Sequence, residues 1–118
     1  MKHAVLFILL AAVTPALADT GSICVDASDH NQYYARPLSL HEVLARNALG
    51  KDKRAARIAT TCIHVYRDSI VALHSLTRCI GKGDEVAVST IDGRGERCRV
   101  TGIEPAAESY ADAKYSSK

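Results

Sequence analysis

Apolar residues fall into blocks of different period along this chain, and each block predicts a different element. The first is unbroken, from Ala4 to Val13, behind the basic start Met1-Lys2-His3 and ahead of the small-residue end Ala16-Leu17-Ala18. Those three zones read as an export signal over residues 1–18 with cleavage after Ala18. The run is about half the ~20 residues a helix needs to cross a bilayer, and no later stretch is longer or as free of charge, so no transmembrane segment is expected in the mature chain. Residues 19–37 are polar and end in Arg36-Pro37, which disfavours helix at the arginine; they read as an irregular N-terminal arm.

The period then becomes helical. Ser39 followed three residues later by Glu42 is the pattern of a capping box, and Leu40, Val43, Leu44 and Ala48 recur at helical spacing up to Gly50. A helix over Leu40–Leu49 is expected, packed on something, because so short a helix is marginal in water. From Ile58 the pattern is β-like: Ile58–Tyr66 and Ile70–Leu76, separated by Arg67-Asp68-Ser69, predict a hairpin, with a buried helix across Ile63–Leu76 as the alternative. Gly81-Lys82-Gly83-Asp84 breaks the chain, and Glu85–Ile91 and Glu96–Ile103 read as two more strands around Asp92-Gly93-Arg94-Gly95. An odd number of loop residues puts Val86 and Val88 on the side of Cys98 and Val100 and leaves Arg97 and Arg99 in water. An even loop would set the valines beside the arginines, so the odd register is expected. Residues 105–118 show too little periodicity to require structure and read as a flexible tail. The expected fold is a single α+β domain over 38–104: one short helix on a small antiparallel sheet of about four strands, able to curl toward an open β-barrel.

Composition adds a reason for disulfides. The single Phe lies in the leader and there is no Trp, so the core has few large side chains, yet Cys24, Cys62, Cys79 and Cys98 all lie beyond the leader. None stand as close as zinc ligands or a redox Cys-x-x-Cys pair, and an exported chain meets an oxidising compartment, periplasm or extracellular space. Two bridges are expected, paired Cys79 with Cys98 and Cys24 with Cys62. Lipid attachment at Cys24 is disfavoured by Ile23, where a small residue is wanted. With 15 Lys and Arg against 13 Asp and Glu, net charge selects no partner class.

Candidate chemistry is sparse. His64 and His74 lie symmetrically about Ser69, so the expected hairpin would set them side by side, near enough to share a metal ion, but no acid sits beside either at ligand spacing, and His30 and His41 could approach only through the tertiary fold. Half-packed histidines beside Tyr66 and Leu76 are the commoner outcome. No Ser stands in a nucleophile elbow, and Asp84 and Glu85 would point to opposite faces of a strand, so no catalytic residue and no cofactor are assigned. Lys51, Lys53, Arg54 and Arg57 form one basic group and Arg97 with Arg99 another; converging, they would suit an anionic partner, an acidic protein or envelope component such as lipopolysaccharide. Nucleic acid fits poorly, because Tyr33, Tyr34, Tyr66, Tyr110 and Tyr115 are not interleaved with the arginines. The functional expectation is a small exported, disulfide-bonded, non-catalytic module that binds a protein or envelope component. The alternative is a metal-binding protein or metal-dependent enzyme using His64 and His74.

Overall fold

The computed structural model describes residues 22–117, and the signal-peptide reading of residues 1–18 lies outside them. The described chain is all-β, with six strands: β1 (Tyr33–Ser39), β2 (Glu42–Asn47), β3 (Ala56–Thr60), β4 (Ile70–His74), β5 (Glu85–Ser89) and β6 (Gly95–Pro105). Two antiparallel meanders, β1–β2–β3 and β4–β5–β6, join through β3 and β6 in the order β1-β2-β3-β6-β5-β4. That order returns β4 to the side of β1, so the sheet is a nearly closed barrel. The seam is bridged by one side chain: the Tyr33 hydroxyl accepts the Leu73 N–H at 2.8 Å and donates to the Leu73 carbonyl at 3.4 Å. Buried edge groups of β4 thereby find partners without a ladder.

The α+β expectation is corrected: no described residue is helical, and the segment read as a helix, Leu40–Leu49, holds the turn at Leu40–His41 and strand β2 of the β1–β2 hairpin. Ser39 and Glu42 do interact, Oγ to Oε1 at 3.0 Å, but as register partners across that turn. The helical reading failed because β2 is covered on both faces. Val43 and Ala45 point into the barrel and Leu44 points outward under residues 106–117, and all three are fully buried. A strand buried on both sides loses the period-two signature, and its apolar run cannot be told from a helix by spacing.

The hairpin expected from Ile58–Tyr66 and Ile70–Leu76 is corrected too. β3 pairs with β2 and β6, β4 pairs with β5, and residues 61–69 cross between the meanders at one end of the barrel. Cys62 and Val65 are fully buried there, so the apolar positions after Thr60 plug the barrel end instead of extending a strand. At the opposite end the N-terminal arm pairs briefly with residues 78–80: the Ala27 N–H donates to the Arg78 carbonyl and the Ile80 N–H to the Val25 carbonyl, both at 2.9 Å. Val25 and Ile80 complete the core on that side.

The β5–β6 hairpin has the expected register. Val86 faces Cys98, Ala87 faces Arg97, and Ser89 faces Gly95 across a five-residue loop in which Gly93 supplies φ +89°. Val86, Val88, Cys98 and Val100 are buried together. A bulge at Thr101 shifts β6 by one residue against β3, so Val100 and Ile103 both reach the interior and the long strand serves both meanders.

The disulfides join Cys24 to Cys79 and Cys62 to Cys98, which corrects the expected pairing. Cys79 lies beside the arm, where Asp26 is its bridge partner, and not beside Cys98. Cys62 is level with Cys98 because the chain after β3 stays paired, the Thr61 N–H donating to the Arg99 carbonyl at 2.9 Å. Each bridge contributes about 2–4 kcal/mol to a core whose largest fully buried side chains are Leu and Ile. The bridges fit an oxidising environment.

Residues 106–117, for which the sequence showed no periodicity, lie across the outer face of β1–β2–β3. Ala106 donates its N–H to the Ala55 carbonyl at 2.8 Å and Ser116 to the Leu38 carbonyl at 2.9 Å.

Candidate functional site

The fold distributes the candidate residues over three regions. His64 lies in the 61–69 crossing and His74 at the end of β4, opposite Glu85 of β5. Because β3 and β4 do not pair, the side-by-side arrangement that would let these two histidines share an ion is absent. Among the described residues no three His, Cys, Asp or Glu side chains cluster closely enough to hold a metal ion. His64 meets an acid that its spacing did not reveal: the Glu96 carboxylate accepts the N–H groups of Ile63 and His64 at 3.2 and 3.0 Å and stands 3.7 Å from His64 Nδ1. His64 and Glu96, with Tyr66, Ser69 and Arg94, line a cleft of about 230 Å³ at the barrel end.

The basic residues do not converge. Lys51, Lys53 and Arg54 lie in the β2–β3 loop, Arg57 on the outer face of β3, and Arg97 and Arg99 on the outer face of the first half of β6. Several are already engaged. Lys53 donates to the Ala48 carbonyl at 2.7 Å, and Arg54 holds Asp52 at 2.8 Å, an attachment that lowers the Asp52 pKa to about 2. Arg57 makes a forked pair with Glu42, Nε to Oε2 at 2.7 Å and Nη2 to Oε1 at 2.9 Å. That bond lowers the Glu42 pKa below its ordinary value, and the guanidinium is raised in turn. The Arg97 side chain has no hydrogen-bond or ion-pair partner among the described residues, and Arg99 reaches the Gly83 carbonyl at 3.3 Å.

Arg97 and Arg99 stand on a face that no described segment covers. Across β4, β5 and β6 its rows are Ile70–Ser89–Gly95, Ala72–Ala87–Arg97 and His74–Glu85–Arg99. The middle is made of small residues. Around them lie Ile70 at 62 % exposure, with Leu76 and Ile91 almost fully exposed in the flanking loops. Among the described residues, five of the seven large exposed apolar side chains, Ile63, Tyr66, Ile70, Leu76 and Ile91, belong to this half of the barrel or its loops.

The other half carries an arrangement the sequence did not announce. Tyr34 and Arg46, register partners on the outer face of β1 and β2, are stacked with the guanidinium 4.5 Å from the ring centroid. Tyr110, from the C-terminal segment, lies 5.0 Å from Arg36 and 5.2 Å from Arg46. Reading residues 33–39 as a strand would have put Tyr34 and Arg36 on one face, but nothing local marks Tyr110 as their partner.

Among the described residues, no helix is long and apolar enough to cross a membrane. Comparison with known protein families, with characterised proteins and with solved structures finds no match for this chain.

Proposed function

We propose that this protein is a non-catalytic binding module of an oxidising, exported compartment, and that it docks an acidic protein partner on the outer face of β4–β5–β6. One observation carries the reading: the outer face of one meander is covered by the chain's own segment while the other presents Ile70, small half-buried residues, and two arginines that close no ion pair among the described residues. An apolar patch bordered by arginine has the composition of a protein interface. Unpaired guanidinium groups on its border favour an acidic partner and speed its approach.

A photo-crosslinking residue placed at Ile70 tests this, with a second placed at Lys114 on the opposite half as control. In the native compartment the Ile70 position is expected to yield one discrete protein adduct that the Lys114 position does not. The adduct should disappear in Arg97→Glu, Arg99→Glu protein that keeps the wild-type melt. A lipid adduct, or equal labelling from both positions, defeats the proposal.

A further inference from the structure

We infer that the outer face of β1–β2–β3 is a peptide-receiving groove, occupied here by the chain's own residues 106–117, and that an acidic peptide that turns as this segment does, with an aromatic residue followed three positions later by a small one, binds in its place. This site stands apart from the face of β4–β5–β6 and does not depend on it.

Three features support the inference. First, much of the segment is held through its main chain, with the Tyr115 hydroxyl adding a bond to the Val65 carbonyl at 2.7 Å. The Arg36 guanidinium donates to the carbonyls of Tyr110 and Ala113, and the N–H groups of Ala106 and Ser116 donate to barrel carbonyls. Both carbonyls meet one guanidinium because residues 109–113 form a turn, the Asp112 and Ala113 N–H groups donating to the Ser109 carbonyl at 3.1 Å, and a peptide that adopts this turn offers the same groups. Second, selectivity has identifiable anchors. The Tyr110 ring lies against Arg36 and Arg46, and Ala113, three residues on, is buried against Leu44. Glu108 and Asp112 flank the tyrosine, matching a face that presents Arg36, Arg46 and Arg57, and the charge of Glu108 reaches Arg57. Third, the occupant fits the face incompletely. Clefts of about 270 Å³ and 780 Å³ remain beside it, the first lined by Leu38, Glu42 and Arg57, the second by Arg36, Pro37 and Arg67. Detaching the segment returns Tyr34, Arg36, Glu42, Arg46 and Arg57 to water, all of which tolerate it, and uncovers a small apolar patch of Leu38, Leu44 and Ala55. The interior of the barrel is lined by other residues.

The test uses a fluorescent synthetic peptide of residues 104–117, titrated into the full chain and into a Tyr110→Ala, Ala113→Asp, Tyr115→Phe variant whose own segment has lost the ring, the buried methyl and the hydroxyl bond that anchor it. Where a cis occupant competes, apparent affinity falls by the fraction of open groove, so the variant is expected to bind the peptide about tenfold or more tighter than wild type. Adding Arg36→Ala should remove that binding. A variant that keeps the wild-type melt but binds no tighter overturns the inference. Hydrogen exchange puts the same question to the unmodified protein. The Ala106 and Ser116 amides should exchange about a hundredfold or more faster than those of Ile80 and Val100, because the segment opens while the barrel stays closed. Equal rates would make the segment part of the core and overturn the inference as well.

Discussion

The two meanders have the same strand count, the same antiparallel pairing and a shared interior, yet they differ in what covers their outer faces. Leu44 of β2 is fully buried beneath Ala113, whereas Ile70 of β4, also pointing outward, is 62 % exposed. On the covered meander, cations are spent within the chain, on Glu42, on main-chain carbonyls and on tyrosine rings. On the bare one, Arg97 stays unpaired among the described residues. One barrel thus has one outer face covered by its own chain and another that no described segment covers.

Substitutions can break or sharpen this contrast. The largest effect is expected inside the bare meander, where Val100→Asp would bury a charge without a partner and cost about 3 kcal/mol or more, while Arg97→Asp beside it should stay within about 0.5 kcal/mol. Urea denaturation giving equal losses would mean that the two faces of β6 are interchanged.

Next comes the outer face itself. Leu44→Ala should cost about 2–4 kcal/mol and Ile70→Ala no more than about 0.5 kcal/mol, because the first opens a cavity and the second trims a side chain already in water. Similar melting temperatures for the two variants would show that residues 106–117 do not seal the first meander in solution.

A smaller effect is expected at the seam joining the meanders. Tyr33→Phe keeps the ring but strips the Leu73 N–H and carbonyl of their partner, for about 1–2 kcal/mol. If stability is unchanged, another group or water closes the barrel there.

The smallest concerns Glu42. Its pKa is lowered in the fold, first by the Arg57 hydrogen bond, so its contribution is present above the ordinary value of 4.5 and is lost as pH falls through the folded value. Arg57 is half exposed, which screens the pair. Glu42→Gln should therefore cost under about 1 kcal/mol at neutral pH and nothing in sufficiently acid solution. A cost independent of pH would assign the loss to packing against Ser39 and not to charge.

The same contrast explains which elements could be read in advance. In β5 and β6 one face is dry and the other wet, so Glu85-Val86-Ala87-Val88 and Arg97-Cys98-Arg99-Val100 alternate, and both strands and their register follow from the alternation. In β2 the outer face is dry as well, and Val43-Leu44-Ala45 gave no alternation to read. The 61–69 crossing misled for a related reason: Cys62 and Val65 are apolar because they plug the barrel end, not because they belong to a strand. The histidine pair fell with that hairpin, while the Glu96 contact to His64 spans a separation that no local pattern encodes.

By itself the sequence determined the presence of four cysteines suited to two bridges, the strand character of residues 85–103, and the sides on which Val86, Val88, Cys98 and Val100 lie. Each follows from residue type or from a period set within a few residues. Tertiary structure alone decided that residues 40–49 extend instead of coiling, that Cys24 meets Cys79 and Cys62 meets Cys98, and that Arg36 and Arg46 receive Tyr110. Those outcomes depend on what finally covers each face and on which distant segments the closing sheet brings level, and burial from both sides erases the local period that would have announced them.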